Sequence, residues 1–429
     1  MADAAIRDGE VRARGRLLHP DELPRVAGWA LLITLLILSP YVVAGSLAGP
    51  DRVFAGHLYN VLDSNAYLAW MNQAAHGEWR FENKYAREGD RRLFSNAFLL
   101  AMGKLAGALR LRPIGAWHIA RVVGGWFCLV GIYLLAAFFF EERAERWATL
   151  LIAAFSSGLG WLFFAMGLQT HPMPFDFGLR SLIQPEAITY LSIYVNPLFA
   201  FSIGLMCVTF LLFLLGMEDV RYGRIVAAGL CGLLLGNVHT YDMIVLYGVT
   251  GSYWVWRLVV PGDAGEAGRT KARVGMFPAF VAISAPTVIY QWYVIHADPV
   301  YRAKAETLTA SPPIAGAILG YGLLGVAAAA GILHVLRRRR LRDAFMLAWA
   351  AVGLAAPYLP LRYFPFQRKM FEGYHVALSV LASVAICAMV APRLRKALGG
   401  RWTRTTCARA AAAAFVALTF PSNGCFVWM

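Results

Sequence analysis

The sequence predicts an all-α polytopic membrane protein, and three observations carry that prediction. Of 429 residues, 59% are hydrophobic and only 15% charged, with a mean hydropathy of +0.54; a soluble chain carries roughly a quarter charged residues. Several apolar runs reach the ~20 residues needed to cross a hydrocarbon core. The basic residues behind the net charge of +15 sit largely between those runs, where they set membrane orientation and need no nucleic-acid partner. A β-barrel is excluded, because the runs far exceed ~10-residue strands and do not alternate.

Residues 1–26 form an arginine-bearing polar lead, a cytoplasmic N-terminal tail. The first apolar run, 27–48, is too long for the core of a cleavable signal and lacks a small-residue cleavage motif. Further crossings are predicted over 114–139, 147–167, 196–217, 223–238, 241–259, 276–295, 313–336, 344–360, 375–392 and 408–420, which gives ten or eleven in all. Residues 27–429 read as a single transmembrane domain, with no internal repeat and no soluble C-terminal domain. Gly316 and Gly320 form a GxxxG suited to helix packing. The six cysteines show no paired or metal-type spacing and read as packing residues.

Basic residues in the short loops fix the orientation. With Arg7, Arg12, Arg14 and Arg16 in the cytoplasm, the same side receives Arg143 and Arg146, then Arg221 and Arg224, then Arg269, Lys271 and Arg273. It also receives the run Arg337 to Arg340, and finally Arg393, Arg395 and Lys396. The outer face is left with 50–113, 168–195, the corner His239–Asp242, 296–312 and 361–374.

The first outer loop, 50–113, is the longest non-spanning stretch. After Asp63, apolar residues at Tyr67, Trp70, Met71 and Ala74 have the spacing of one helix face, while Asn65, Asn72, Gln73 and His76 lie mostly elsewhere. This is an amphipathic interfacial helix with Asp63 near its N-cap. A second such helix fits 95–109, with Phe94, Phe98, Ala101, Leu105 and Ala108 as its stripe. A linker containing Lys84, Arg87, Arg91 and Arg92 joins the two. It is either a solvated loop or the docking place of an anionic partner, since outer-face arginines run against the positive-inside trend.

Other polar groups recur on the same face. His239, Tyr241 and Asp242 sit at a corner between two crossings, as helix caps or as a functional site. Gln184, Pro185 and Glu186 precede a tyrosine-rich stretch and Asn196–Pro197; proline disfavours helix there. Arg362, Arg368, Lys369 and His375 cluster in the last long outer loop, suited either to a lipid phosphate or to headgroup anchoring. His118 and Arg121 share a face at the outer end of the second crossing, where Arg121 can snorkel.

Asp63, Tyr67, Gly77, Glu78 and Trp79 resemble the Asp…Tyr…Gly-Asp-Trp pattern in the first outer loop of the GT-C superfamily of integral-membrane glycosyltransferases. Protein O-mannosyltransferases and lipid A aminoarabinose transferases carry it. The chain is also similar to a group of bacterial polytopic proteins assigned to that fold, through "QPEAITYLSIYVNP" (184–197), "GNVHTYDMI" (236–244) and "FQRKMFEGYHVALSVLA" (366–382). Where many members have a second acid, Ser64 follows Asp63, so neither a metal nor another cofactor is expected.

The resemblance implies a bacterial cytoplasmic (inner) membrane enzyme that moves a sugar from a polyprenyl-phosphate donor to a hydroxyl on a glycan, lipid or protein acceptor at the periplasmic or extracellular face. Asp63 would be the general base. Asn65, Tyr67, Glu78, Arg91, Arg92, Glu186, His239, Tyr241, Asp242, Arg368, Lys369 and His375 are the candidate substrate-binding residues. The rival is a transporter or flippase of a lipid-linked or anionic solute. That class builds a midplane site from broken helices in repeated halves, whereas here the polar residues gather at one face.

Overall fold

A computed structural model describes residues 17–87, 89–166, 185–260 and 266–428. The N-terminal arginines and most of the 168–195 segment, with Gln184, lie outside the described residues. The helices in chain order are α1 (Glu22–Leu47), α2 (Val61–Ala75), α3 (Ala97–Ala108), α4 (Pro113–Phe139), α5 (Arg143–Phe155), α6 (Gly160–Ala165), α7 (Thr189–Val195), α8 (Pro197–Asp219), α9 (Tyr222–Val238) and α10 (Asp242–Val259). They continue as α11 (Glu266–Arg273), α12 (Met276–Ala297), α13 (Pro299–Ala305), α14 (Ile314–Arg338), α15 (Ala344–Ala355), α16 (Tyr374–Ala385), α17 (Ala391–Ala397), α18 (Arg404–Thr419) and α19 (Pro421–Trp428).

Among the described residues, six helices are long and apolar enough to cross a membrane, or seven if the bent pair α18–α19 is one span. The other predicted crossings are also helical but shorter, such as the 17 residues of α9. The 147–167 run breaks at Ser156–Gly158, between α5 and α6. There Gly158 lies against the Gly320 carbonyl, too close for any side chain. The GxxxG glycine thus serves helix packing, as small residues do between membrane helices. Along α1, Leu31, Leu32, Leu35 and Leu36 are exposed, a surface suited to lipid.

Polar contacts sort the loops to two ends of the bundle. At one end Glu22 is buried against Arg146 at 2.7 Å, Arg143 pairs with Asp21 at 3.2 Å, and Arg342 reaches Glu141 at 3.4 Å. Arg273 donates to the Met217 carbonyl at 2.8 Å on the same side. At the other end the Thr309 N–H donates to Pro365 O at 2.7 Å, and the Arg368 N–H donates back to Thr309 O at 3.0 Å. This is the division that the basic loops predict.

The first outer loop has its own small core. Trp70, Met71, Ala74, Phe81, Phe98 and Leu99 pack with Trp117 and Tyr301 beneath it; burying each large apolar side chain contributes about 1.5–3 kcal/mol. The face of α2 follows the sequence pattern. That of α3 does not: Phe98, Leu99, Gly103 and Ala106 are buried while Ala101 is exposed. The reason is close approach, because Gly103 rests on the Met71 carbonyl and a Cβ at Gly107 would stand 2.7 Å from Ala75 O. Gly103→Ala is expected to cost about 1–3 kcal/mol through overpacking, read as a lower unfolding temperature in detergent.

The charged linker is folded, not loose. Gln73 holds the Glu82 backbone from both sides, accepting from its N–H at 2.8 Å and donating to its carbonyl at 2.9 Å. Glu82 pairs with Lys84 and Arg92 at 2.7 Å each, which holds its carboxyl below the usual range through the Lys84 hydrogen bond first.

Candidate active site

Asp63 lies in the first turn of α2, exposed. The helix begins instead at Asn60, whose left-handed backbone (φ 53°) sets the entry and whose amide donates to Asp63 Oδ2 at 3.0 Å. The cap position thus belongs to Asn60, with Asp63 in the first turn beyond it.

Four other segments meet this helix end. One turn along α2, Tyr67 packs on Trp117 at 5.7 Å and lies near the Asn196 side chain. Burial, then the charges of Asp63, Tyr241 and Glu186, raise its phenol above the ordinary value. Asn196 caps α8 by accepting from the Leu198 N–H at 3.0 Å. From the other side of α7, Glu186 is buried and stands 3.8 Å from Arg368 Nη2. Both charges reach Tyr59, whose phenol burial pushes up.

The third segment is the corner between α9 and α10. Asn96, the cap of α3, donates to Val238 O at 2.9 Å and Asn237 O at 3.1 Å, which ties the outer loop to this corner. His239 Nδ1 lies 2.9 Å from Asp242 Oδ1 and 3.1 Å from Glu372 Oε2, with all three residues buried. Tyr241 packs on Phe366 at 4.5 Å with the rings tilted, and Lys369 Nζ lies 4.2 Å from the centre of its ring.

The fourth is α13. Its Lys304 is an exposed residue, with its ammonium 5.1 Å from the centre of the Trp70 ring. Burial, then the charge of Lys369, pull its titration below the ordinary lysine value, against Tyr241 and Asp63, which favour the charged form. Asp298 caps this helix, accepting from the Val300 N–H at 2.9 Å, and also accepts the Arg91 N–H at 2.7 Å.

Of the sequence candidates, Asp63, Tyr67, Glu186, His239, Tyr241, Asp242, Arg368 and Lys369 thus join one polar cluster at the loop-rich end of the bundle. Asn65 and Glu78 are exposed on and just beyond α2. Arg92 is engaged by Glu82, and Arg91 is exposed on the linker. His375 lies deeper, fully buried between Thr189 Oγ1 at 3.1 Å and Ser156 Oγ at 3.3 Å. Three cluster members were absent from the candidates, Asn196, Lys304 and Glu372; the first and last lie inside the quoted segments, but Lys304 belongs to none.

Neither a protein-family model nor a curated protein matches the chain. Among solved structures, the arabinofuranosyltransferase AftD from Mycobacteria superposes with a TM-score of 0.50 at 14% identity, over 94% of this chain and 27% of its own. The Archaeoglobus fulgidus oligosaccharyltransferase tethered with an acceptor peptide gives 0.49 at 15% identity, over 93% and 55%. ArnT from Cupriavidus metallidurans bound to undecaprenyl phosphate gives 0.47 at 15%, over 94% and 75%. The chain spans about half the length of the archaeal enzyme. At such identities the likeness is one of fold, and the AftD superposition is the one that carries it. The chain is therefore an all-α polytopic membrane protein that shares its fold with the arabinofuranosyltransferase AftD.

Proposed function

We propose that this protein is a membrane glycosyltransferase of cell-envelope glycan biosynthesis. It would take a sugar from a polyprenyl-phosphate donor to a hydroxyl of a glycan, lipid or protein acceptor at the outer face of the cytoplasmic membrane. The observation that carries the reading is that Lys304 lies within electrostatic reach of both Asp63 and Lys369, with Arg368 held near Glu186, at one end of a GT-C-like fold. In the reaction, the acceptor oxygen attacks the anomeric carbon from the face opposite the phosphate and its proton passes to an Asp63 oxygen. The bond to the phosphate oxygen breaks with its electron pair leaving on the lipid phosphate, so configuration inverts. A carboxylate is a weak base, but it suffices where proton transfer lags carbon–oxygen cleavage and the phosphate leaves well. Arg368, Lys369 and Lys304 offset the charge growing on that phosphate.

The test uses vesicles that hold the purified protein and a labelled polyprenyl-phosphate sugar. Donor consumption that depends on an added hydroxyl acceptor supports the proposal. Passage of a labelled anionic solute without donor consumption would favour a transporter.

The state of Lys304 adds a pH signature. Its lowered titration means that the ammonium loses its proton at a pH below the ~10.4 of free lysine. Transfer is therefore expected to decline on the alkaline side below that value. Lys304→Arg keeps the charge and should move this limb upward in a pH profile of kcat/KM; an unmoved limb would remove Lys304 from the phosphate grip.

A further inference from the structure

The trio His239, Asp242 and Glu372 poses a charge problem that the sugar-transfer reading does not use. Asp242 and Glu372 are each 1% exposed and His239 is 7% exposed. A single imidazole nitrogen, Nδ1, faces both carboxylates, at 2.9 Å and 3.1 Å, and one N–H can serve only one of them. Asp242 Oδ2 and both oxygens of Glu372 are buried without a hydrogen-bond partner. The nearby cations are turned elsewhere, Lys369 over the Tyr241 ring and Arg368 toward Glu186. Two buried carboxylates left in this state are costly, and a positive charge bound beside them would offset that cost.

The geometry supplies a place for it. One ligand atom from each residue lies within 4.8 Å of the other two, close enough for a single ion to touch all three. The donors come from rigid positions: His239 ends α9, Asp242 opens α10, and Glu372 precedes Gly373, whose backbone (φ +78°) turns the chain into α16. We propose that His239, Asp242 and Glu372 bind a divalent transition-metal cation. A mixed imidazole and carboxylate set suits Mn²⁺ or Zn²⁺ better than the all-oxygen shells of Ca²⁺ or Mg²⁺. Two carboxylates neutralise the ion, and three protein ligands leave coordination positions open. Bound there, the ion clamps the α9–α10 corner to the loop before α16. This proposal departs from the expectation of no metal, which rested on Ser64 standing where a second acid would follow Asp63.

Mn²⁺ is the probe of choice, because it is followed directly by electron paramagnetic resonance and the partly exposed Cys231 and Cys425 compete for Zn²⁺ more than for Mn²⁺. The full-length protein in detergent is stripped with a chelator, dialysed and titrated with Mn²⁺, with the free ion followed by electron paramagnetic resonance. Binding of about one equivalent, with a rise in unfolding temperature, is expected. Glu372→Gln and Asp242→Asn should each weaken binding by at least ~10-fold. Asp63→Asn should bind Mn²⁺ as the parent does, so this site and the sugar-transfer reading fail separately. A stripped parent that binds no Mn²⁺ overturns the proposal whatever the variants do, as does a folded Glu372→Gln that binds it with unchanged affinity.

Discussion

Asp63→Asn is expected to lower sugar transfer by ~10²–10⁴-fold, the usual contribution of a general base, with little change in the fold. The asymmetry follows from where Asp63 sits. It is exposed, and its one described partner is the Asn60 amide at 3.0 Å. The oxygen of an asparagine can still accept that bond, so the losses are the attraction to Lys304 and the pairing of a negative charge with the helix N-terminus, the latter about 0.3–1 kcal/mol. An unfolding curve in detergent separates the two effects. An assembled variant that transfers sugar at the parent rate would exclude Asp63 as the base.

The second large effect is expected at Arg368. Arg368→Gln should lower kcat/KM for the lipid donor by ~10²–10³-fold, comparable to removal of a donor aimed at developing charge. Glu186 stands 3.8 Å from this guanidinium and keeps one oxygen buried without a hydrogen bond. Loss of Arg368 therefore also strands a buried carboxylate. Arg368→Lys distinguishes the two roles, because lysine keeps the charge beside Glu186 but loses the planar fork that grips phosphate. Kinetics near those of the glutamine variant, with parental stability, would assign Arg368 to the donor. Parental kinetics in the lysine variant would make its charge, and not its fork, the essential feature.

Residue spacing alone reveals much of this architecture. Each apolar run predicted to cross is mainly helical among the described residues, with 147–167 broken at Ser156–Gly158, and the polar contacts at Glu22–Arg146 and Thr309–Pro365 sort the loops to the two ends that the basic residues indicate. The buried face of α2 follows from the spacing of Trp70, Met71 and Ala74. The face of α3 does not, because Gly103 and Gly107 dictate it by admitting a neighbouring backbone, and periodicity scores glycine as neutral. Asp63 has the residue type of a cap, yet a left-handed Asn60 starts the helix; residue type does not reveal backbone dihedrals.

Site membership was legible only for residues in clusters. Arg368, Lys369, His239 and Asp242 stand beside other polar residues on the outer face, which marks them. Lys304 occupies a short solvent-facing helix like any surface lysine, and only the fold brings its ammonium over Trp70 and toward Lys369. Glu372 lies in a loop whose cations dominate the pattern. His375, three residues on, shares its composition but begins a buried helix and turns inward to Thr189.

The central claim is most directly tested by the products of the purified protein in lipid nanodiscs, supplied with a polyprenyl-phosphate sugar and a hydroxyl acceptor. Release of polyprenyl phosphate is measured with the anomeric configuration of the new linkage. The account predicts one lipid phosphate released per sugar transferred, an inverted anomer, and loss of both in Asp63→Asn. A retained anomer, or a parent that releases no lipid phosphate, would contradict it.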